Sequence, residues 1–547
     1  MPRHLPPAVA RAVLTLLLNL TFAAYGPPST AAGELQAGDL DPTFGDGGIV
    51  VVDALEVLST MVDVFVVDDG RILVGGTGYD EQEKEVCVVA RFDSDGELDE
   101  TFGSGGRTII DFEPTPGQGL QNRCFGMAYH DGAIVIAGYV ERGANQNSNL
   151  EITVARLDAD GAFDDGFGDE GKAVVSLGAF TDVANAVAIQ PLDGKIVVAG
   201  SSQISMAGAS DFVALRLDTN GELDETYGVN RTTPLVCPTC PVTAHQIVIQ
   251  PDGKAVVVGA IGGGALFVRR YDTDGTIDES FSADGAVTDT AGNALGRTVA
   301  LQGEDILVGG SAVIAGDTHI LLERFDEAGN ADPQFGDGGR SPGIGWFAGR
   351  ILVLPDGRIL AGGKNDSFEF ALARYEADGS IDDSFGNAGL VVTPYPFVFD
   401  AASQPSPRIA RQADGNIVLV GDHRIVRYIG EDPIDPCGDA NGSETLTATD
   451  ALFALRSAVG SSTCQTCICD ANGSGGVTAT DALRILSRAV GLDVELLCPT
   501  CDLQPAVDAG PAHTVRVDRT AVDDAECRPL PARAERATWP GQNITGA

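Results

Sequence analysis

The chain has 547 residues, 44% of them hydrophobic, with 78 acidic against 35 basic side chains and a formal charge of -43. Its length exceeds what one hydrophobic core fills, so two or more domains are expected. The charge repels polyphosphate, which argues against a nucleic-acid partner, and attracts divalent cations.

Residues 1–32 read as an export signal: Arg3 and Arg11 flank the apolar stretch Ala12–Tyr25, and small residues follow around Ala31 and Ala32. That stretch falls short of the roughly 20 apolar residues a confident membrane span needs, and no later segment is long enough to cross. The first cysteine is Cys87, so no lipid-carrying cysteine follows the signal. A secreted protein, extracellular or at the cell surface and monomeric, is expected.

From residue 40 to 429 the chain repeats itself. The phrase "LDPTFGDGG" from Leu40 returns from Leu98, Phe163, Leu223, Ile277, Ala331 and Ile381, with aromatic anchors Phe44, Phe102, Phe167, Tyr227, Phe281, Phe335 and Phe385. A second phrase, "DDGRILVGG" from Asp68, recurs in step, and a third, "VARFDSDGELD", starts at Val89. Each unit offers about four short β-branched runs separated by Asp-Gly or Asn-Gly turns. Such a unit cannot bury a hydrophobic face alone, whereas radial stacking would bury it. The expectation is an all-β seven-bladed β-propeller, with an eight-bladed ring or an open solenoid as alternatives. The phrases resemble the delta-60 repeat family of bacterial β-propeller-like proteins, which implies a surface or extracellular scaffold without a settled activity.

Arg91, Arg156, Arg216, Arg270, Arg324, Arg374 and Arg427 hold one position in each unit. A residue repeated in this way reads as a structural partner of a turn aspartate, and the "DSDG" and "DADG" turns read as self-capped rather than as calcium sites. Six histidines are scattered, and no zinc-protease motif, nucleophile elbow or phosphate loop appears. No catalytic residue and no organic cofactor is assigned.

After a linker at 430–436, two twelve-residue acidic loops each precede an apolar helical stretch. Calcium prefers six to eight oxygen ligands, delivered from loop positions 1, 3, 5, 7, 9 and 12. Those positions are Asp439, Asn441, Ser443, Thr445, Thr447 and Asp450 in the first loop, and Asp470, Asn472, Ser474, Gly476, Thr478 and Asp481 in the second. Two calcium ions are expected, the first more weakly bound because Glu444 stands where the second loop has Gly475. Leu452, Leu455 and Val459, then Leu483, Leu486 and Val490, read as the apolar helix faces. Loop then helix, twice, is similar to the dockerin type I module, so a small α-helical dockerin-like module is expected at 437–502. The resemblance implies a cohesin-like protein partner read by Ala448, Thr449, Ala479 and Thr480. An intramolecular cap is the alternative.

Cys437, Cys464, Cys467, Cys469, Cys498 and Cys501 frame the loops, and Cys237 with Cys240 forms a C-x-x-C pair in the repeats. Behind an export signal these read as disulfides, with zinc or a redox pair as alternatives. Residues 503–547 lack periodicity and read as a disordered tail. The functional expectation is a secreted, non-enzymatic scaffold with a calcium-dependent protein–protein interaction module. A secreted polysaccharide-active propeller enzyme and a purely structural surface protein are the alternatives.

Overall fold

A computed structural model describes residues 35–430 apart from short stretches, of which 229–241 and 395–406 are the longest, together with residues 477–489 and four positions between 451 and 458. Residues 1–34, residues 490–547 and nearly all of both acidic loops lie outside the described residues.

The β-branched runs form the expected strands. β1 (Ile49–Val51) is followed by an antiparallel sheet of β2 (Thr60–Val66), β3 (Ile72–Tyr79), β4 (Glu85–Phe92) and β5 (Arg107–Ile110). Next come β6 (Asn122–His130), β7 (Ala133–Arg142), β8 (Asn149–Leu157) and β9 (Lys172–Val175), then β10 (Thr181–Ile189), β11 (Ile196–Gln203) and β12 (Asp211–Leu217). A parallel bridge from Thr181 to Leu150 joins these seven strands into one sheet. The remaining sheets are β13 (Val242–Ile249), β14 (Ala255–Ile261), β15 (Ala265–Tyr271) and β16 (Ala286–Asp289); β17 (Leu295–Gln302), β18 (Asp305–Ile314) and β19 (Asp317–Phe325); and β20 (Phe347–Val353), β21 (Ile359–Lys364), β22 (Phe370–Tyr375) and β23 (Leu390–Thr393).

The last sheet contains β24 (Arg408–Arg411), β25 (Ile417–Gly421) and β26 (Arg424–Tyr428), and its outer strand is β1, paired Ile49 to Val426 and Val51 to Arg424. The beginning of the repeat region therefore completes the sheet made by its end, which removes two free edges at once. The core lies between neighbouring sheets. Met61, Val74 and Val88 of the β2–β5 sheet pack with Val418, Val420 and Ile425 of the last one, and Leu73 and Val89 pack with Ile134 and Ile136. The central strands are buried on both faces and read as continuous apolar runs.

Two expectations are corrected here. The described strands form six sheets, not seven separate blades: repeated phrases count units, whereas backbone pairing decides which units merge or lose a strand. The two-helix dockerin-like module is not supported either. One helix, α1 (Ala479–Ala489), has a described span, and Leu483 and Leu486, expected to pack inward, are 61% and 38% exposed. Ala482 and Ile485 are the buried pair; being three apart they share a face, and that adjacent stripe is the one turned inward.

Candidate functional site: the axial cavity

The repeated arginines are structural. Each donates from Nε to the aspartate of an aromatic-anchor phrase: Arg91 to Asp99 at 2.7 Å, Arg216 to Asp224 at 3.0 Å, Arg270 to Asp278 at 2.6 Å and Arg374 to Asp382 at 2.6 Å. The guanidinium lies over the anchor ring, from 4.5 Å for Arg427 over Phe44 to 4.8 Å for Arg91 over Phe102. It also donates to a turn carbonyl in the following unit, as Arg270 does to Glu327 and Arg324 to Ala377. Arg427 reaches forward to Asp41 and the Ser94 carbonyl, so the same device closes the ring. The "DSDG" and "DADG" turns cap themselves: Asp93 Oδ1 accepts from the backbone N–H of Asp95 and Glu97, and Asp158 does the same for Asp160 and Ala162.

The innermost strands carry the chemistry that the repeats do not. In β2, β6, β10, β13, β17 and β20 the register breaks, between Met61 and Asp63, Cys124 and Gly126, Ala184 and Ala186, Ala244 and Gln246, Gly296 and Thr298, and Ala348 and Arg350. Each break leaves one residue unpaired as a β-bulge: Val62, Phe125, Asn185, His245, Arg297 or Gly349. The opposing strand must approach closely there, which dictates a glycine. A Cβ on Gly200 would lie 1.9 Å from the Val183 carbonyl oxygen, and one on Gly76 would lie 1.8 Å from that of Thr60. The glycines of the second repeated phrase are thus the sequence mark of the bulges.

The bulge side chains tie unit to unit. Asn185 Nδ2 donates to the Ala244 carbonyl at 3.0 Å, and His245 Nδ1 meets the Gly296 carbonyl at 2.6 Å. Because a carbonyl only accepts, Nδ1 carries the proton there. Arg408, on β24, donates to the carbonyls of Val62 at 2.7 Å and Gly349 at 2.8 Å.

These first strands enclose a cavity of about 270 Å³. Its walls include Phe65, Met127 and Ile247 together with Asp63, His130, His245, Arg297, Arg350 and Arg408. Every contributor but Pro191 lies on the first strand of its unit, so the cavity sits on the axis of the ring. Burial pushes the His245 imidazole below its ordinary value against the pull of the Gly296 bond, with Arg297 and Arg408 adding to the shift. Burial brings the Arg408 guanidinium down to about 10. Arg297 stacks 5.3 Å over the Phe347 ring, and its Nε has no hydrogen-bond partner among the described residues.

Of the expected calcium ligands, Thr478 and Asp481 are described, and they form the N-terminal cap of α1. The Thr478 N–H and hydroxyl donate to Asp481 Oδ2 at 2.8 and 2.6 Å, the half of a capping box in which the N3 side chain accepts from the N-cap N–H. The other ten, from Asp439 to Gly476, lie outside the described residues. Among the described residues no cluster of three or more His, Cys, Asp or Glu is placed to hold a metal. Ala479 and Thr480 are exposed in the first turn of α1, while Ala448 and Thr449 lie outside the described residues. So do Cys237, Cys240, Cys437, Cys464, Cys467, Cys469, Cys498 and Cys501. The structure instead contains a disulfide that the spacing did not suggest, Cys87–Cys124, which joins β4 to β6 across a sheet boundary with the Cα atoms 5.5 Å apart. Sequence reasoning also missed the bulge residues; the signal available was the glycine opposite each of them.

Strands radiating from an axis, and closed by their own first strand, define a β-propeller. Five stretches, 68–102, 130–167, 192–227, 250–281 and 354–385, match a family described as "Domain of unknown function (DUF5122) beta-propeller". These stretches are similar to that family, and five is the number of blade repeats the match supports in place of seven. No curated protein matches the chain. Similar solved structures include "Streptogramin B lyase structure", 12% identical with a TM-score of 0.41, covering 70% of this chain and 97% of that one. Others are "Crystal Structure of Mitotic Checkpoint Complex", 11% identical with a TM-score of 0.40, covering 75% and 98%, and Sqt1 from Chaetomium thermophilum, 12% identical with a TM-score of 0.36, covering 72% and 98%. At these values the likenesses carry no argument about activity.

Proposed function

We propose that the protein is an exported, non-enzymatic binding scaffold whose propeller holds a small ligand in the axial cavity. The observation that carries this reading is the convergence of the bulge residues. Asn185, His245 and Arg297 depart from the repeat and meet at one concave site, whereas the residues that obey the repeat are consumed in holding units together. Sites of this kind combine an apolar wall with a few convergent polar groups. Export is supported by the basic and apolar opening of the chain and by the Cys87–Cys124 disulfide, a bond that persists in oxidising compartments.

The two acidic loops add calcium-dependent association with a protein partner. Their ligand spacing from Asp439 to Asp450 and from Asp470 to Asp481 supports this part of the reading. The test of the axial site is a thermal-shift series on the full, oxidised chain with neutral sugars, acidic sugars, organic acids and peptides, repeated on Asn185→Trp, which fills the cavity. At least one class raises the Tm of the parent chain, leaves the variant unmoved and is recovered chemically unchanged. A ligand that is consumed, or a panel with no shift at all, contradicts the reading.

A further inference from the structure

The cavity is cationic in a chain that is otherwise strongly acidic. Asp63 is the one carboxylate in its wall, against the guanidinium groups of Arg297, Arg350 and Arg408; three positive charges less one negative leave two uncompensated with the histidines neutral. The single ion pair is loose, Arg350 Nη1 to Asp63 Oδ2 at 3.4 Å. The repeated arginines behave differently, each lying against an aspartate at 2.6 to 3.0 Å. Arg297 stacks on the Phe347 ring, its Nε has no hydrogen-bond partner among the described residues, and burial lowers its guanidinium. Arg408 is oriented by two carbonyls across the bulges; burial lowers its guanidinium, Asp63 opposes that shift, and Arg350 and Arg297 add to it. Bringing several guanidinium groups together out of bulk water is unfavourable unless negative charge meets them. Planar, forked donors on different strands suit an oxyanion, which accepts several charge-assisted bonds at once.

We infer that the axial cavity binds its ligand through an oxyanion, a carboxylate, sulfate or phosphate group held by Arg297, Arg350 and Arg408. The inference rests on the reading of the cavity as the ligand site and names the chemistry that site selects. Phe65, Met127 and Ile247 in the same wall favour a small organic anion with an apolar body over a bare inorganic ion. At about 270 Å³ the space lies near the lower edge of ligand pockets, so the ligand is small.

The experiment is isothermal titration of the full, oxidised, extensively dialysed chain with benzoate, sulfate and phosphate, and with benzamide as the uncharged counterpart of benzoate. Arg297→Gln and Arg350→Gln are titrated in parallel, with Arg142→Gln as a surface control remote from the cavity. One saturable site for benzoate is expected, weakened at least tenfold in each cavity variant and unchanged in Arg142→Gln, with benzamide at least tenfold weaker. Sulfate or phosphate binding more tightly than benzoate, with the same dependence on Arg297, assigns an inorganic source and keeps the oxyanion site. Benzamide binding as well as benzoate, or affinities unchanged in both cavity variants, overturns it. If neutral sugars stabilise the chain while no oxyanion binds at millimolar concentration, this inference fails and the binding reading stands. Arg350→Gln serves should Arg297→Gln fold poorly, since the two residues lie on different strands.

Discussion

At the scale of single residues, the repeated arginine does three things: it pairs with an aspartate, stacks on an aromatic ring and reaches a carbonyl of the next unit. Arg270 and Asp278 are 3% and 5% exposed along their side chains. Removing one partner leaves the other buried and unpaired, so Arg270→Gln is expected to lower unfolding stability by about 3–5 kcal/mol, read by chemical denaturation. The aspartates also set the acid response. Burial by itself would raise Asp99, Asp224 and Asp278, but hydrogen bonds from threonine or serine and from arginine, joined by lysine at Asp224 and Asp278, hold all three well below the carboxylate range. A carboxylate whose folded pKa is depressed contributes stability that is present above its unfolded value, near 4, and is lost as pH falls through the folded one. The Tm is therefore expected to fall steeply below about pH 4, and Asp278→Asn should flatten that slope. These residues were legible in the sequence because every unit repeats them.

At the scale of elements, the bulge converts a repeat into a site. Six of the innermost strands, β2, β6, β10, β13, β17 and β20, shift register by one residue, and the glycine across from each accommodates the shift. Gly200→Ala places a Cβ against the Val183 carbonyl and is expected to destabilise by about 1–3 kcal/mol as the strand is forced apart, with denaturant melts as the readout. The last sheet is the internal control: β24 pairs with β25 without a register break, and Gly421 has no carbonyl pressed against it. Strands and turns were legible from β-branched runs and Asp-Gly pairs. The bulge residues were not, because Asn185, His245 and Arg297 differ from unit to unit and look like noise until the opposing glycine is seen to demand a bulge. In the C-terminal region the leucines misled, since burial follows the face bearing Ala482 and Ile485.

At the scale of the molecule, closure is what the account requires. β1 completes the sheet of β26, Arg408 reaches Val62, and Gln412 Nε2 donates to the Gly70 carbonyl at 3.1 Å. The Cys87–Cys124 bond adds a covalent tie between sheets across 37 residues. Replacing both cysteines by alanine is expected to lower stability by about 2–4 kcal/mol, measured against reduction of the parent chain, and to leave axial binding intact. The count of seven overreached because phrases in a sequence do not reveal which sheets share hydrogen bonds, and this disulfide was missed because its cysteines fit no spacing motif. Closure gathers the bulge residues, with Arg350 and Arg408 beside them, into a cationic axial site. The most direct measurement is a crystal structure of the full chain grown with selenate, phased on selenium. The account predicts an anomalous peak on the axis within hydrogen-bonding distance of Arg297 and Arg350. Selenate confined to the outer surface, with Arg297 turned away from the axis or paired to a carboxylate, would contradict it.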